Sequence, residues 1–177
     1  MPTLHEASTA ELPPRILSDL RTLLDRAFEG DFSDDDWDHS LGGTHVWMAE
    51  SQEIISHASL VERTLICSGT TLQVGYVEAV ATTAPRRRRG HGARVMSRIG
   101  ALIRERYPLG ALSTGTYAFY ESLGWERWLG PTFVARENGP AHTPDDDGDI
   151  MILRTPRSPQ LELAGEIICD WRPGDVW

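Results

Sequence analysis

Arg86-Arg87-Arg88-Arg89-Gly90-His91-Gly92-Ala93 sets four cations against two glycines, immediately ahead of an amphipathic run. Val95, Ile99, Leu102 and Ile103 follow at helical spacing, so a helix is expected from near Gly92 to near Tyr107, ended by Pro108. The first turn of a helix carries N–H groups without intrahelical partners and the positive end of the dipole, and both favour an anion. Glycine lets a pyrophosphate approach the backbone where a Cβ would hold it off. Ahead of the arginines, Gly75-Tyr76-Val77-Glu78-Ala79-Val80-Ala81-Thr82 has the β-branched and aromatic content of a strand. The order is strand, basic turn, glycine loop, helix. No Gly-Lys-Ser/Thr follows, so this is not the nucleotide P-loop, nor does it match the three-glycine dinucleotide pattern. A loop for a phosphorylated carrier, a solvated basic turn and a patch for RNA phosphates remain as readings.

Outward from this loop, the chain reads as α+β with one mixed sheet. Pro13 and Pro14 open a helix whose stripe is Ile16, Leu17, Leu20, Leu23, Leu24, Ala27 and Phe28, and Gly30 stops it. Ser33 caps a short helix through Trp37, broken by Gly42-Gly43. Strands are expected over 44–49, 53–65 and 71–82, joined at Ser51-Gln52 and Ser68-Gly69 into an antiparallel meander. A short apolar strand over 109–112 suits parallel pairing. A helix over 117–123 closes at Gly124. Late strands are expected over 125–134, 149–153 and 161–171, with a polar loop over 137–148.

The 177 residues suit a single domain spanning 1–177. There is no apolar run of membrane-spanning length and no apolar signal core near Met1, so neither a membrane partner nor secretion is expected. Cys67 and Cys169 stand far apart without a CxxC spacing, which indicates no zinc or other metal site and no disulfide framework. Cytoplasmic location follows. The net charge of −9 disfavours nucleic acid as a partner despite the arginines. Carboxylates gather in 31–38, 145–149 and 170–175. Each run alone reads as a solvated loop; together they would form a pocket for a polycation.

Arg87-x-x-Gly90-x-Gly92 resembles the coenzyme A pyrophosphate loop of the GCN5-related N-acetyltransferases. Further blocks are Gly30-Asp31-Phe32-Ser33-Asp34-Asp35-Asp36-Trp37, Leu41-Gly42-Gly43-x-His45, Gly75-Tyr76-Val77-Glu78, Leu109-Gly110-Ala111-Leu112-Ser113, Tyr120-x-x-x-Gly124-Trp125, Thr143-Pro144-Asp145-Asp146-Asp147-Gly148 and Cys169-Asp170-Trp171-Arg172-Pro173-Gly174-Asp175-Val176-Trp177. From near Phe28 to Trp177 the pattern resembles the aminoglycoside 2′-N-acetyltransferases. The resemblance implies the GCN5-related acetyltransferase fold, a mixed, mostly antiparallel sheet flanked by helices. It implies acetyl-CoA as co-substrate and a cationic aminoglycoside as acceptor, with antibiotic resistance as the outcome and a homodimer as a family option.

The resemblance also assigns roles. Glu78 is the general base, acting through water on the substrate ammonium. Tyr120 donates to the departing thiolate, although Tyr117 stands near it in sequence and either hydroxyl could serve. Val80 and Thr82 offer backbone groups to the acetyl carbonyl and pantetheine arm. Arg87, Arg88, Arg89, Gly90, His91 and Gly92 hold the pyrophosphate. Asp31, Ser113, Asp146, Asp175 and the Trp177 carboxylate hold the drug. The interval from Ser113 to Tyr120 is about two residues shorter than in mycobacterial members, which keeps kasugamycin open as the acceptor beside deoxystreptamine drugs. A module that sequesters the drug without turnover is the rival of another class; a general base beside a complete coenzyme loop speaks against it.

Overall fold

The computed structural model describes all residues, Met1–Trp177, as two compact units. The first comprises Met1–Val61 and Val77–Ile99; the second comprises Glu62–Tyr76 and Gly100–Trp177. Strands β3 (Glu53–Cys67) and β4 (Thr70–Thr82) and helix α3 (His91–Arg106) each contribute residues to both.

In the first unit, β1 (Thr3–Ser8) pairs antiparallel with β2 (Thr44–Glu50), which pairs antiparallel with β3. The turn at Ser51-Gln52 places both residues at positive φ, the geometry that suits the twist of a tight hairpin. Gly43 is required by a close approach: a Cβ there would fall 2.0 Å from the Leu60 carbonyl oxygen. Helix α1 (Pro14–Ala27) starts with proline, whose missing N–H costs nothing in a first turn. It buries Leu20 and Leu23 in a cluster with Leu12, Trp47 and Ile54. Helix α2 (Asp34–His39) is capped by Ser33, whose Oγ accepts from the Asp36 N–H while Asp36 reaches back to the Ser33 N–H. A second cluster joins Leu24 and Phe32 to Ala81, with Ala79 and Trp37 packed against it.

In the second unit the strand order is β6-β9-β5-β4-β3-β10-β7-β8. The members not yet named are β5 (Leu109–Ser113), β6 (Glu126–Arg127), β7 (Thr132–Val134), β8 (Ala141–His142), β9 (Ile150–Arg154) and β10 (Ile167–Cys169). β5 is parallel to β4, but their register covers only Gly75 with Gly110 and Tyr76 with Ala111. β10 is parallel to β7 and antiparallel to β3. Gly110 sits under α3, since a Cβ there would meet Ile103 at 2.9 Å. Helix α4 (Tyr117–Glu121) follows β5.

Four expectations change, the smallest being the loop expected over 137–148, where Ala141–His142 pairs with β7 as β8. β1 was not anticipated: its exposed, mixed sequence carries no clean alternation, and its partner β2 defines it. The expected strand over 125–134 breaks into β6 and β7 at Gly130-Pro131, where Gly130 lies against Gly165 so closely that a Cβ would be 1.8 Å from the Gly165 oxygen. The expected strand over 161–171 shrinks to β10, because a turn closes at residues 162–165, with the Gly165 N–H donating to the Glu162 carbonyl. No helix is long and apolar enough to cross a membrane.

Candidate active site

The anticipated coenzyme side lies in the first unit. β4 runs through Glu78, Ala79 and Val80, all half-buried, to Thr82. Ala79 adopts φ +53, a left-handed conformation that alanine rarely takes within a strand. A 3₁₀ turn at Ala84–Arg86 and a loop with Arg88 and Gly90 at positive φ lead into α3. Open space surrounds the Cβ position of Gly90, and the buried Nδ1 of His91 has no hydrogen-bond partner. A half-buried helix start behind an exposed, bare Gly90 and an unsatisfied imidazole nitrogen fit a phosphate-bearing ligand.

The four arginines divide. Arg86 pairs with Glu50 at 2.6 Å. Arg87 donates from Nε to the Thr82 carbonyl at 3.2 Å and also reaches the Ala27 carbonyl. These two brace the loop, while Arg88 and Arg89 are exposed. Arg87 was expected with the phosphate-holding group; its guanidinium is partly spent on backbone.

The second unit contains the tyrosines and one acidic group. Tyr120 is buried, edge-on to Phe119 and Trp125, and burial pushes its phenol up to about 12. Tyr117 donates its hydroxyl to Asp149, which raises its pKa, and its ring lies 3.7 Å from the Arg127 guanidinium. Asp146 is half-buried on the turn Pro144–Asp146, and its carboxyl is raised by burial, then by Asp175, with Asp149 and Asp145 adding to the same direction. Asp146 and Asp175 therefore share one negative field. Ser113 is exposed at the end of β5. Asp31, also exposed, belongs to the first unit, between α1 and α2.

The residues 170–177 are anchored by side chains that sequence reasoning missed. Arg63 is almost fully buried; it pairs with Asp170 at 2.8 Å, donates to the Asp170 and Val176 carbonyls, and lies over Tyr76. Arg172 also lies over the Tyr76 ring and donates to the main-chain oxygens of Asp175 and Trp177. Trp177 is buried and donates from Nε1 to Thr143 Oγ1 at 2.9 Å. Trp171, by contrast, is 55% exposed beneath Arg136. An isolated arginine inside the β3 pattern was the one available signal, since buried arginine needs several acceptors.

Cys67 and Cys169 are buried free thiols, pushed up by burial to about 12 and about 11, so both stay protonated at neutral pH.

The acetyltransferase (GNAT) domain family matches residues 13–128. An aminoglycoside 2′-N-acetyltransferase of Mycolicibacterium fortuitum is 42% identical over 98% of this chain and 93% of its own length. Among solved structures, a GCN5-related N-acetyltransferase from Kribbella flavida superposes with TM-score 0.60 at 19% identity, covering 74% of this chain and 34% of that one. A GNAT family acetyltransferase from Brucella melitensis, in complex with acetyl-CoA, superposes with TM-score 0.60 at 13% identity, covering 90% and 94%. At these identities the solved structures establish the fold, and the near full-length relative narrows the family. The chain belongs to the GNAT acetyltransferases, in the aminoglycoside 2′-N-acetyltransferase family.

Proposed function

We propose that this chain acetylates the 2′-amine of an aminoglycoside with acetyl-CoA, by direct attack in a ternary complex. The observation that carries the reading is the 42% identity maintained over 98% of the chain. Bound acetyl-CoA supplies an activated acyl carbon and a thiol leaving group. Arg88, Arg89, Gly90, His91 and Gly92 hold its pyrophosphate, with Arg87 bracing the loop. The Val80 N–H donates to the acyl carbonyl, and the Thr82 backbone steadies the pantetheine arm. Glu78 takes a proton from the substrate ammonium through water, because a protonated amine has no lone pair with which to attack.

Tyr120 is the better donor to the sulfur, since the Tyr117 hydroxyl already donates a hydrogen bond to Asp149. With its pKa near 12, Tyr120 stays protonated at working pH. A free thiol ionises near 8.5, well below Tyr120, so complete proton transfer is uphill and the first contribution of Tyr120 is a hydrogen bond that stabilises the departing sulfur. Neither cysteine is an effective relay nucleophile, because the thiolate is the reactive form. Asp146, Asp175, Asp31, Ser113 and Trp177 hold the cationic drug; its ammonium groups offset both the burial and the neighbouring charge of Asp175 that raise Asp146. The buried free thiols suit a reducing compartment, and we place the reaction in the cytoplasm.

The test is thiol release from acetyl-CoA with kanamycin, gentamicin, tobramycin and kasugamycin, with products read by mass spectrometry. A singly acetylated 2′-amine is expected from at least one. Drug binding without thiol above background for all four would refute transfer to this class and leave sequestration. The short interval from Ser113 to Tyr120 favours including kasugamycin.

A further inference from the structure

Two histidines that the mechanism does not use lie entirely inside the first unit. His45 and His57 are both 0% exposed. His45 Nδ1 is 2.9 Å from His57 Nε2, His57 Nδ1 is 2.9 Å from the Ala79 carbonyl oxygen, and His45 Nε2 is 2.9 Å from Thr9 Oγ1. A carbonyl oxygen only accepts, so His57 carries its proton on Nδ1. Its Nε2 must then accept, which places the His45 proton on Nδ1. His45 Nε2 then accepts from the Thr9 hydroxyl at 2.9 Å, the shorter of the two acceptors that hydroxyl reaches, the other being the Gly43 carbonyl at 3.3 Å, and Thr9 accepts from the Gly42 N–H at 3.0 Å. The row is thereby satisfied in one direction, with both rings neutral and every ring nitrogen used.

The end of this row is the left-handed residue of β4. Ala79 stands between Glu78 and Val80, and its conformation persists only if its surroundings impose it. β3 imposes it with side chains: beside His57, Ser59 Oγ donates to the Glu78 carbonyl at 3.3 Å and Ser56 Oγ to the Ala81 carbonyl at 3.1 Å. Both serines are also fully buried. Burying two imidazoles is costly unless each is bonded, and an apolar pair would fill the same space. The bonded imidazoles add a fixed position for the Ala79 carbonyl.

We propose that His57, held by His45 and Thr9, is a positioning residue for acetyl transfer: by fixing the Ala79 carbonyl it sets the aim of the Glu78 carboxylate and the Val80 N–H on either side. The proposal rests on the roles given to those two residues above. A small misplacement of reacting groups costs up to about 100-fold in rate. His57→Leu is expected to lower kcat about 10- to 100-fold, with KM for acetyl-CoA and drug changing less than about threefold. His57→Asn, whose amide can replace the Nδ1 donor, restores most of the loss. Thr9→Val, at the half-buried end of the row, lowers kcat a few-fold and keeps the fold if His57→Leu does not. Histidine ¹⁵N spectra of the unaltered protein should show both rings neutral and protonated on Nδ1. Equal impairment of the Leu and Asn variants, a loss confined to KM, or an Nε2-protonated His57 would overturn the proposal. Glu78→Gln is assayed in parallel: normal turnover there removes the underlying base reading, whereas an impaired Glu78→Gln beside a normal His57→Leu removes the positioning role alone.

Discussion

Acidification should destabilise this protein through its two interior imidazoles. Burial lowers His45 to about 4 and His57 to about 3, the latter also opposed by His45. In the unfolded chain both titrate near 6.5. A folded value below the unfolded one means the unfolded state binds the proton first. The stability tied to the pair is therefore complete above pH 6.5 and lost as pH falls through 6.5 toward the folded values. Between pH 7.5 and 5.0 the linkage amounts to about 2 kcal/mol for each ring, roughly 4 for both. At pH 5.0 the figure barely depends on whether the folded value is 3 or 4, since both rings are still neutral in the native state. Urea unfolding at the two pH values measures it directly. With a slope near 2 kcal/mol per molar urea, the midpoint should fall by about 2 M. The variant His45→Asn/His57→Asn, whatever its stability at pH 7.5, should lack this part of the drop. An equal drop in both proteins, or a fall below about 1 kcal/mol in the unaltered one, would refute the assignment of neutral buried rings.

Further outcomes are expected. Glu78→Gln lowers kcat most at neutral pH and progressively less as pH rises and the drug amine loses its proton unaided; a pH–rate profile that is uniformly lowered would contradict the base role. Tyr120→Phe lowers kcat about 10²-fold or more while Tyr117→Phe, which frees Asp149, stays within about tenfold, both read by thiol release at saturating substrates. Asp146→Asn raises the drug KM about 10-fold or more, the size of one charge-assisted hydrogen bond, and leaves the acetyl-CoA KM unchanged; equal shifts in both constants would remove Asp146 from the drug site. Gly43→Ala forces β2 and β3 apart at Leu60 and destabilises by about 1–3 kcal/mol, seen as a lower thermal midpoint.

Much of the fold was legible because local signals agreed with one another. Pro14 at the start of α1, Ser33 before α2 and Ser68-Gly69 between β3 and β4 all act where the sequence places them. The strand, loop and helix around Arg86–Ala93 likewise needed no tertiary knowledge. Elements defined by a partner were harder. β1 exists because β2 offers it an edge, and β10 is short because a turn over 162–165 closes ahead of it. At the site, the family resemblance nominated Glu78, Tyr120 and Asp146, but allocation of hydrogen bonds was invisible. That Arg87 spends itself on the Thr82 carbonyl, and that Tyr117 donates a hydrogen bond to Asp149, depends on distances no spacing rule contains. The Arg63 anchor and the His45–His57 row were missed because each is completed by acceptors on other elements: Asp170 and Val176 for Arg63, Ala79 and Thr9 for the histidines.

Within residues 141–148 the carboxylates have unlike duties. Asp147 accepts from the Thr132 N–H, the Thr132 hydroxyl and His142, which hold its carboxyl below the usual range. Asp145 is exposed and Asp146 presents its charge beside Asp175. Asp147 is the rivet, and the proposed drug contact falls to its neighbour Asp146. On that proposal, selection by a changing succession of antibiotics can rewrite position 146, altering which arrangement of amino groups is welcomed, while the rivet keeps the loop in shape. Drift in drug preference should accumulate there, and position 147 should stay silent.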